Sequence, residues 1–249
     1  MNEQQNLTQN PLVFIHGSGD SADIWRLQVE YFGQQRAFAL NLPGHGQRID
    51  TLPNEVTVQD YARTVHDVVT QELHLHKPTI VGHSLGGAIA LTMTLDYDGE
   101  LSGIILIGTG ARLRVLPNVL ADAKNTPEQA RLSLSQLGIA ATTPVSVAQA
   151  IMQEQGMPGP TTLYRDLAAC DVFDIMERLY EIHVPTLIIC GAEDRLTPRK
   201  YSEYLHQHIQ HSTLEIIPQA GHYVMREQPE QVNRAIKTWQ QQAISPSTH

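Results

Sequence analysis

The chain has 249 residues, a formal net charge of −9, 41% hydrophobic and 17% charged residues. Those are globular proportions, and the length suits one large α/β domain or two small ones. The acidic balance with scattered bases speaks against a nucleic-acid partner, two cysteines build no disulfide framework, and no apolar run nears the ~20 residues of a membrane span.

The opening "MNEQQNLTQN" lacks the apolar centre of a signal peptide, so a soluble, cytoplasmic protein is expected. Short apolar runs follow at Leu12–Ile15, Ala37–Leu40, Thr79–Val81, Gly103–Ile107, Thr186–Ile189 and Leu214–Ile217. Such runs predict strands covered on both faces, hence a mostly parallel sheet. Helical patterns lie between them. Thr57 with Asp60 at N3 predicts a capped helix that puts Tyr61, Val65, Val68 and Val69 on one face. Pro229 opens another, with Val232, Ile236 and Trp239 in line. The alternation predicts an α/β fold.

Residues 111–181 break the alternation. Thr126-Pro127-Glu128-Gln129 reads as a capping box, Thr143-Pro144 as a second helix start and Gly156 as a stop. A further helix is expected from Asp171-Val172-Phe173-Asp174, carrying Ile175, Met176 and Leu179. At about seventy residues this segment exceeds what a crossover needs. It is expected to form a helical cap over the sheet's carboxyl edge, the core being residues 1–110 and 182–249. Met152, Met157, Leu163, Tyr164 and Phe173 are candidates for an apolar pocket or for the cap's own core. Cys170 and Cys190 are expected as buried thiols.

The stretch "VGHSLGG" places Ser84 between Gly82 and Gly86, where a strand passes into a helix. A sharp turn there lifts a serine oxygen clear of the backbone, which a nucleophile needs. A base should come from another carboxyl-edge loop. His222, in "AGHYVM" after the last strand, is so placed. The other histidines read as structural or solvated: His45 and His83 in turns, His16 at the end of a strand, His74 and His76 at a helix end, His206, His208 and His211 on a surface helix. Asp194, in "GAEDRLTP", is the candidate acid to orient His222, with Glu193 its rival. Leu85, directly after the serine, and Ser18, in the loop "HGSGD", are candidate backbone donors to an oxyanion, Gly19 being the weaker choice. No metal-ligand spacing and no phosphate-binding spacing occurs.

From "PLVFIHGSGDSADIW" through "NLPGHG", "VGHSLGGAIAL" and "PTLIICGAEDRLTP" to "AGHYVMREQPEQV", the chain resembles the α/β-hydrolase fold superfamily, in the branch with a helical cap. The resemblance implies Ser84 as nucleophile, His222 as base, Asp194 as its partner, and Ser18 and Leu85 as oxyanion donors. It is most similar to small bacterial carboxylesterases, which implies a small-molecule ester substrate and no metal or cofactor, and a cap that leaves a pocket of limited depth points to short to medium acyl chains. Relatives carry an antiparallel hairpin before the first "H-G" strand. Only ten residues precede Pro11 here, so about six strands are expected, with Leu7 and Thr8 the candidates for a short extra edge strand. Similar triads also hydrolyse lactones or carbon–carbon bonds or catalyse eliminations, and a ligand sensor with an idle triad is a reading from another class. Ser84 stands where the dehalogenase branch uses aspartate, which speaks against dehalogenation. The rate is expected to fall below about pH 6, where an ordinary histidine is protonated.

Overall fold

The computed structural model describes residues 10–154 and 159–244. Six strands form one sheet: β1 (Leu12–Ile15), β2 (Ala37–Leu40), β3 (Thr79–His83), β4 (Gly103–Ile107), β5 (Thr186–Gly191) and β6 (Ser212–Ile217). All neighbours are parallel, in the order β2-β1-β3-β4-β5-β6. The chain winds outward from β1 to β2, then returns to the other side of β1 with β3. That reversal opens a crevice at the carboxyl ends of β1 and β3.

The four central strands are buried along their whole length because alternate side chains enter two cores. Val13, Ile15, Ile80, Ile104, Leu106 and Ile188 pack with α2 (Val58–Asp67), α3 (Leu85–Asp96) and α8 (Arg199–His208). Leu12, Phe14, Val81, Ile105, Ile107, Leu187 and Ile189 pack on the other face with α1 (Arg26–Phe32) and α10 (Pro229–Ile244). Burial of each Leu or Ile is worth roughly 1.5–3 kcal/mol, so both layers are held by the same strands. The edge strand β6 differs from expectation. Thr213 and Glu215 are exposed, so only one of its faces is covered.

The capping box ahead of α2 forms, with the Thr57 N–H donating to Asp60 Oδ2 over 2.9 Å. A wider turn over Val68–Glu72 then buries Val68 and Val69. The "GGAIAL" helix α3 is apolar all round, as a helix covered on every side must be, and Leu85 to Thr94 are all buried.

Between β4 and β5 lie α4 (Pro117–Asn125), α5 (Pro127–Gly138), α6 (Val145–Glu154), α7 (Pro160–Val172) and a 3-10 turn, Met176–Glu181. Proline opens α4, α5 and α7, where its missing N–H costs nothing. Val119, Ala123, Ala130, Leu163 and Leu167 give these helices a core of their own. Three expectations are corrected here. Thr126 caps α5 without closing a box, its hydroxyl donating to Asp122 instead. Asp171–Asp174 ends α7 rather than starting a helix, and Ile175 and Leu179 are buried around the following 3-10 turn. His211 lies past the end of α8. Gly156, Met157, Leu7 and Thr8 lie outside the described residues. Cys170 and Cys190 are unpaired and buried. Among the described residues no helix is long and apolar enough to cross a membrane.

Candidate active site

Ser84 alone joins β3 to α3, with φ 52° and ψ −114°. A non-glycine backbone in that region costs about 1–3 kcal/mol and persists only where its surroundings enforce it. Here the Ser84 N–H donates to Ile107 O (3.0 Å) and its carbonyl accepts from the Thr109 hydroxyl (2.8 Å). The flanking glycines are required by close approach. A β-carbon at Gly82 would stand 2.1 Å from Gly86 O, and one at Gly86 2.3 Å from Ile15 O. The turn sets Ser84 on the wall of a cavity of about 360 Å³, together with Gly17, Ser18, Asp20, His83 and His222.

Asp194 follows β5 and His222 follows β6, and the two meet. His222 Nδ1 lies 2.9 Å from Asp194 Oδ2. The carboxylate is fixed from its other side: Oδ1 accepts the N–H groups of Leu196 and Thr197, both at 2.9 Å, and Oδ2 accepts the Thr197 hydroxyl at 2.8 Å. Burial works to raise the Asp194 pKa, but the adjoining imidazole and these bonds outweigh it and hold the group below its ordinary value. For His222, burial works downward and the Asp194 charge and hydrogen bond work upward, leaving it above its ordinary 6.5. Glu193, the rival acid, accepts from the Thr142 hydroxyl at 2.9 Å. The Ser84 hydroxyl has no hydrogen-bond partner among the described residues. In a free enzyme such a contact commonly tightens only when substrate binds.

The two candidate oxyanion donors flank this serine. Leu85 opens α3, so its N–H is one of the first-turn donors that find no acceptor inside their own helix. Ser18 lies on the cavity wall, in a loop so close to the serine that a β-carbon at Gly17 would be 3.1 Å from Ser84 Cβ. A buried charge network pins that loop. Asp166, on α7, is fully buried and accepts from the Gly19 N–H (3.1 Å), from His45 Nε2 (2.9 Å) and from the Tyr61 hydroxyl. His45 Nδ1 faces the Pro43 carbonyl at 3.1 Å, so both ring nitrogens meet acceptors and the ring is an imidazolium. His16 is neutral, accepting the Leu42 N–H on Nε2 at 3.1 Å while Nδ1 donates to Gly17 O.

The sequence does not single out Asp20 or His83 as functional. Asp20 is 2% exposed and on the cavity wall. Burial lifts its pKa to about 7, against the pull of the His222 and His45 charges and with the help of Asp166. His83 donates from Nε2 to the His222 carbonyl (3.0 Å), and its buried Nδ1, with no hydrogen bond, stands 3.9 Å from Asp20. Burial, then the His222 charge, holds His83 neutral. These groups shift the expected pH profile. Because His222 titrates above 6.5, the acid limb of log kcat/KM should have its midpoint above that value, higher than the fall below about pH 6 expected from the sequence. The Asp20 charge helps raise His222, so Asp20→Asn should move the acid limb downward. A wild-type limb below pH 6, or an upward move in the variant, would contradict this reading.

The apolar walls of the cavity are Leu113, Val115, Leu116, Val119, Leu134, Leu137 and Leu167 from the α4–α7 region. Of the candidates for this wall or for the insertion's own core, none of the described ones is on the wall. Leu163 is in the insertion's core with Tyr164 packed against it, Phe173 joins the sheet core, and Met152 is not on the wall. A helix that faces both its neighbours and a cavity shows the same apolar spacing toward each.

A parallel sheet with a strained serine after β3, and a bonded acid–histidine pair after β5 and β6, defines a class of hydrolase fold. The chain belongs to the α/β hydrolase family, whose sequence profile matches residues 12–235. It is 34% identical to a thermophilic esterase of known structure, with a TM-score of 0.80 over 94% of this chain and 91% of that one. It is 27% identical to the (E)-2-((N-methylformamido)methylene)succinate hydrolase of Acinetobacter baylyi, over 92% of this chain and 89% of the relative. The 3-oxoadipate enol-lactonase 2 of the same organism is 25% identical, over 91% and 86%.

Proposed function

We propose that the protein is a serine carboxylesterase that cleaves small esters through an acyl-enzyme. The observation that carries the reading is the pairing of Asp194 with His222 on the cavity that the strained Ser84 faces. Ser84 Oγ attacks the ester carbonyl carbon while His222 Nε2 takes its proton. The oxyanion accepts from the Leu85 and Ser18 N–H groups. His222 returns the proton to the leaving alcohol. Water then attacks the acyl carbon with the same nitrogen as base, and Ser84 is restored. Asp194 keeps the Nδ1 proton in place and stabilises the imidazolium. Residues 111–181 act as the cap, closing the cavity with the apolar side chains named above. A lactone is an internal ester, so the enol-lactonase relative favours including lactones among the substrates.

A cavity of about 360 Å³ sets the acyl length. Each methylene that fits adds up to ~0.8 kcal/mol, and a chain that does not fit must displace the insertion or stay wet. On p-nitrophenyl esters kcat/KM should rise from acetate, peak at short to medium chains and drop well before palmitate. An enzyme fastest on palmitate, or inert toward every ester and lactone, would overturn the proposal.

A further inference from the structure

The cavity beside Ser84 is not isolated. A second cavity of about 530 Å³ adjoins it, and Arg114, Lys200 and Tyr201 belong to the walls of both. The second cavity adds Arg112 and Tyr204 and has no acidic residue on its wall. Asp174 pairs with Arg112 at 2.6 Å and lies 3.8 Å from Arg114, which offsets one of these charges. Lys200 has no carboxylate partner among the described residues, its ammonium standing 5.9 Å from the Tyr201 ring centroid. Arg195, on the first cavity, spends its guanidinium on the Gln136 and Leu137 carbonyls and so keeps its charge unneutralised. Lys200 and Tyr201 also stand in the first turn of α8, whose amino end carries a partial positive charge. A chain of net charge −9 therefore sets a net positive patch where the two cavities meet. The acid on these walls, Asp20, lies at the other end, beside Ser84.

We infer that Arg114, Lys200 and Tyr201 receive an oxyanion group, carboxylate or phosphate, carried by the substrate away from its scissile carbonyl. The inference rests on the reading of Ser84 as an ester-opening nucleophile. It narrows that reading from small esters to anionic ones. Two cations donate to the oxyanion, and the tyrosine supplies a hydroxyl and a flat wall.

Pairs of substrates that differ in one carboxylate test it. On the acyl side, mono-p-nitrophenyl glutarate is compared with p-nitrophenyl pentanoate. On the alcohol side, 4-(carboxymethyl)phenyl butyrate is compared with its methyl ester. For at least one pair, the anionic member should have the higher kcat/KM by about tenfold at low salt. That ratio should fall several-fold in 0.5 M NaCl, where the screening length is only a few ångströms, and in Lys200→Gln and Arg114→Gln. Unequal competitive inhibition of p-nitrophenyl butyrate hydrolysis by glutarate and glycerol 3-phosphate supports the site and tells which oxyanion it takes. Ratios at or below one for both pairs, with the neutral esters turned over, overturn the inference and leave the esterase reading standing. No turnover of any ester removes the esterase reading itself. The salt measurement uses the wild-type chain, so its outcome does not depend on a variant folding.

Discussion

Ser84→Ala should lower the rate of p-nitrophenyl butyrate hydrolysis by about 10³-fold or more while leaving the fold intact. Removing one member of a catalytic triad costs at least that much, because the remaining members have nothing to act through. Stability should hardly change, for three reasons. The hydroxyl makes no hydrogen bond among the described residues, the contacts that hold the turn go to the backbone N–H and carbonyl of residue 84, and alanine has the same β-carbon to place at φ 52°. Kinetics and thermal unfolding on the same preparation separate the two effects. A variant that keeps a tenth of the wild-type rate would sink the assignment of the nucleophile.

Asp166→Ala should act in the opposite sense, on stability first. It removes the acceptor for the His45 imidazolium, the Tyr61 hydroxyl and the Gly19 N–H in a fully buried place. Breaking a buried pair by removing one partner costs about 3–5 kcal/mol, most of it from the charge left behind. The loss should depend on pH. Burial opposes the charged form of both groups, yet His45 and the hydrogen bonds hold Asp166 below its ordinary 3.8. Asp166 likewise holds His45 above its ordinary 6.5. A depressed carboxyl contributes stability above 3.8 and loses it as pH falls through its folded value. A raised histidine contributes below 6.5 and loses it as pH rises through its folded value. The difference between wild type and variant in urea unfolding should therefore be greatest between 3.8 and 6.5. A difference under 1 kcal/mol in that window would show that the cluster is not what ties α7 to the Gly17–Asp20 loop.

What the sequence makes legible follows from how local the physics is. The six strands stand where the apolar runs place them, since a strand covered on both faces advertises itself without any partner. β6 is half exposed, and its sequence does carry the sign: Glu215 interrupts the apolar run on the face that meets solvent. The turn at Ser84 is legible because two glycines at fixed spacing have a local steric cause. His222 and Asp194 can be picked out only by their place after strands, and the structure joins them by a hydrogen bond. Asp166, Asp20 and Lys200 give no such signal. Their environment is made by residues far along the chain: Asp166 meets His45 121 positions away, and Lys200 borders the cavities with Arg114. The helices of 111–181 are partly misplaced because several prolines and threonines there offer equivalent starts, and tertiary packing selects among them.

Covalent trapping of the wild-type chain tests the central claim most directly. Diethyl p-nitrophenyl phosphate should release one p-nitrophenolate per chain as Ser84 Oγ displaces it from phosphorus. Intact mass spectrometry should then show one diethylphosphoryl group, and peptide mapping should place it on Ser84 and find none on Ser84→Ala. An unlabelled wild-type protein, or a label of equal extent on the alanine variant, would contradict the account.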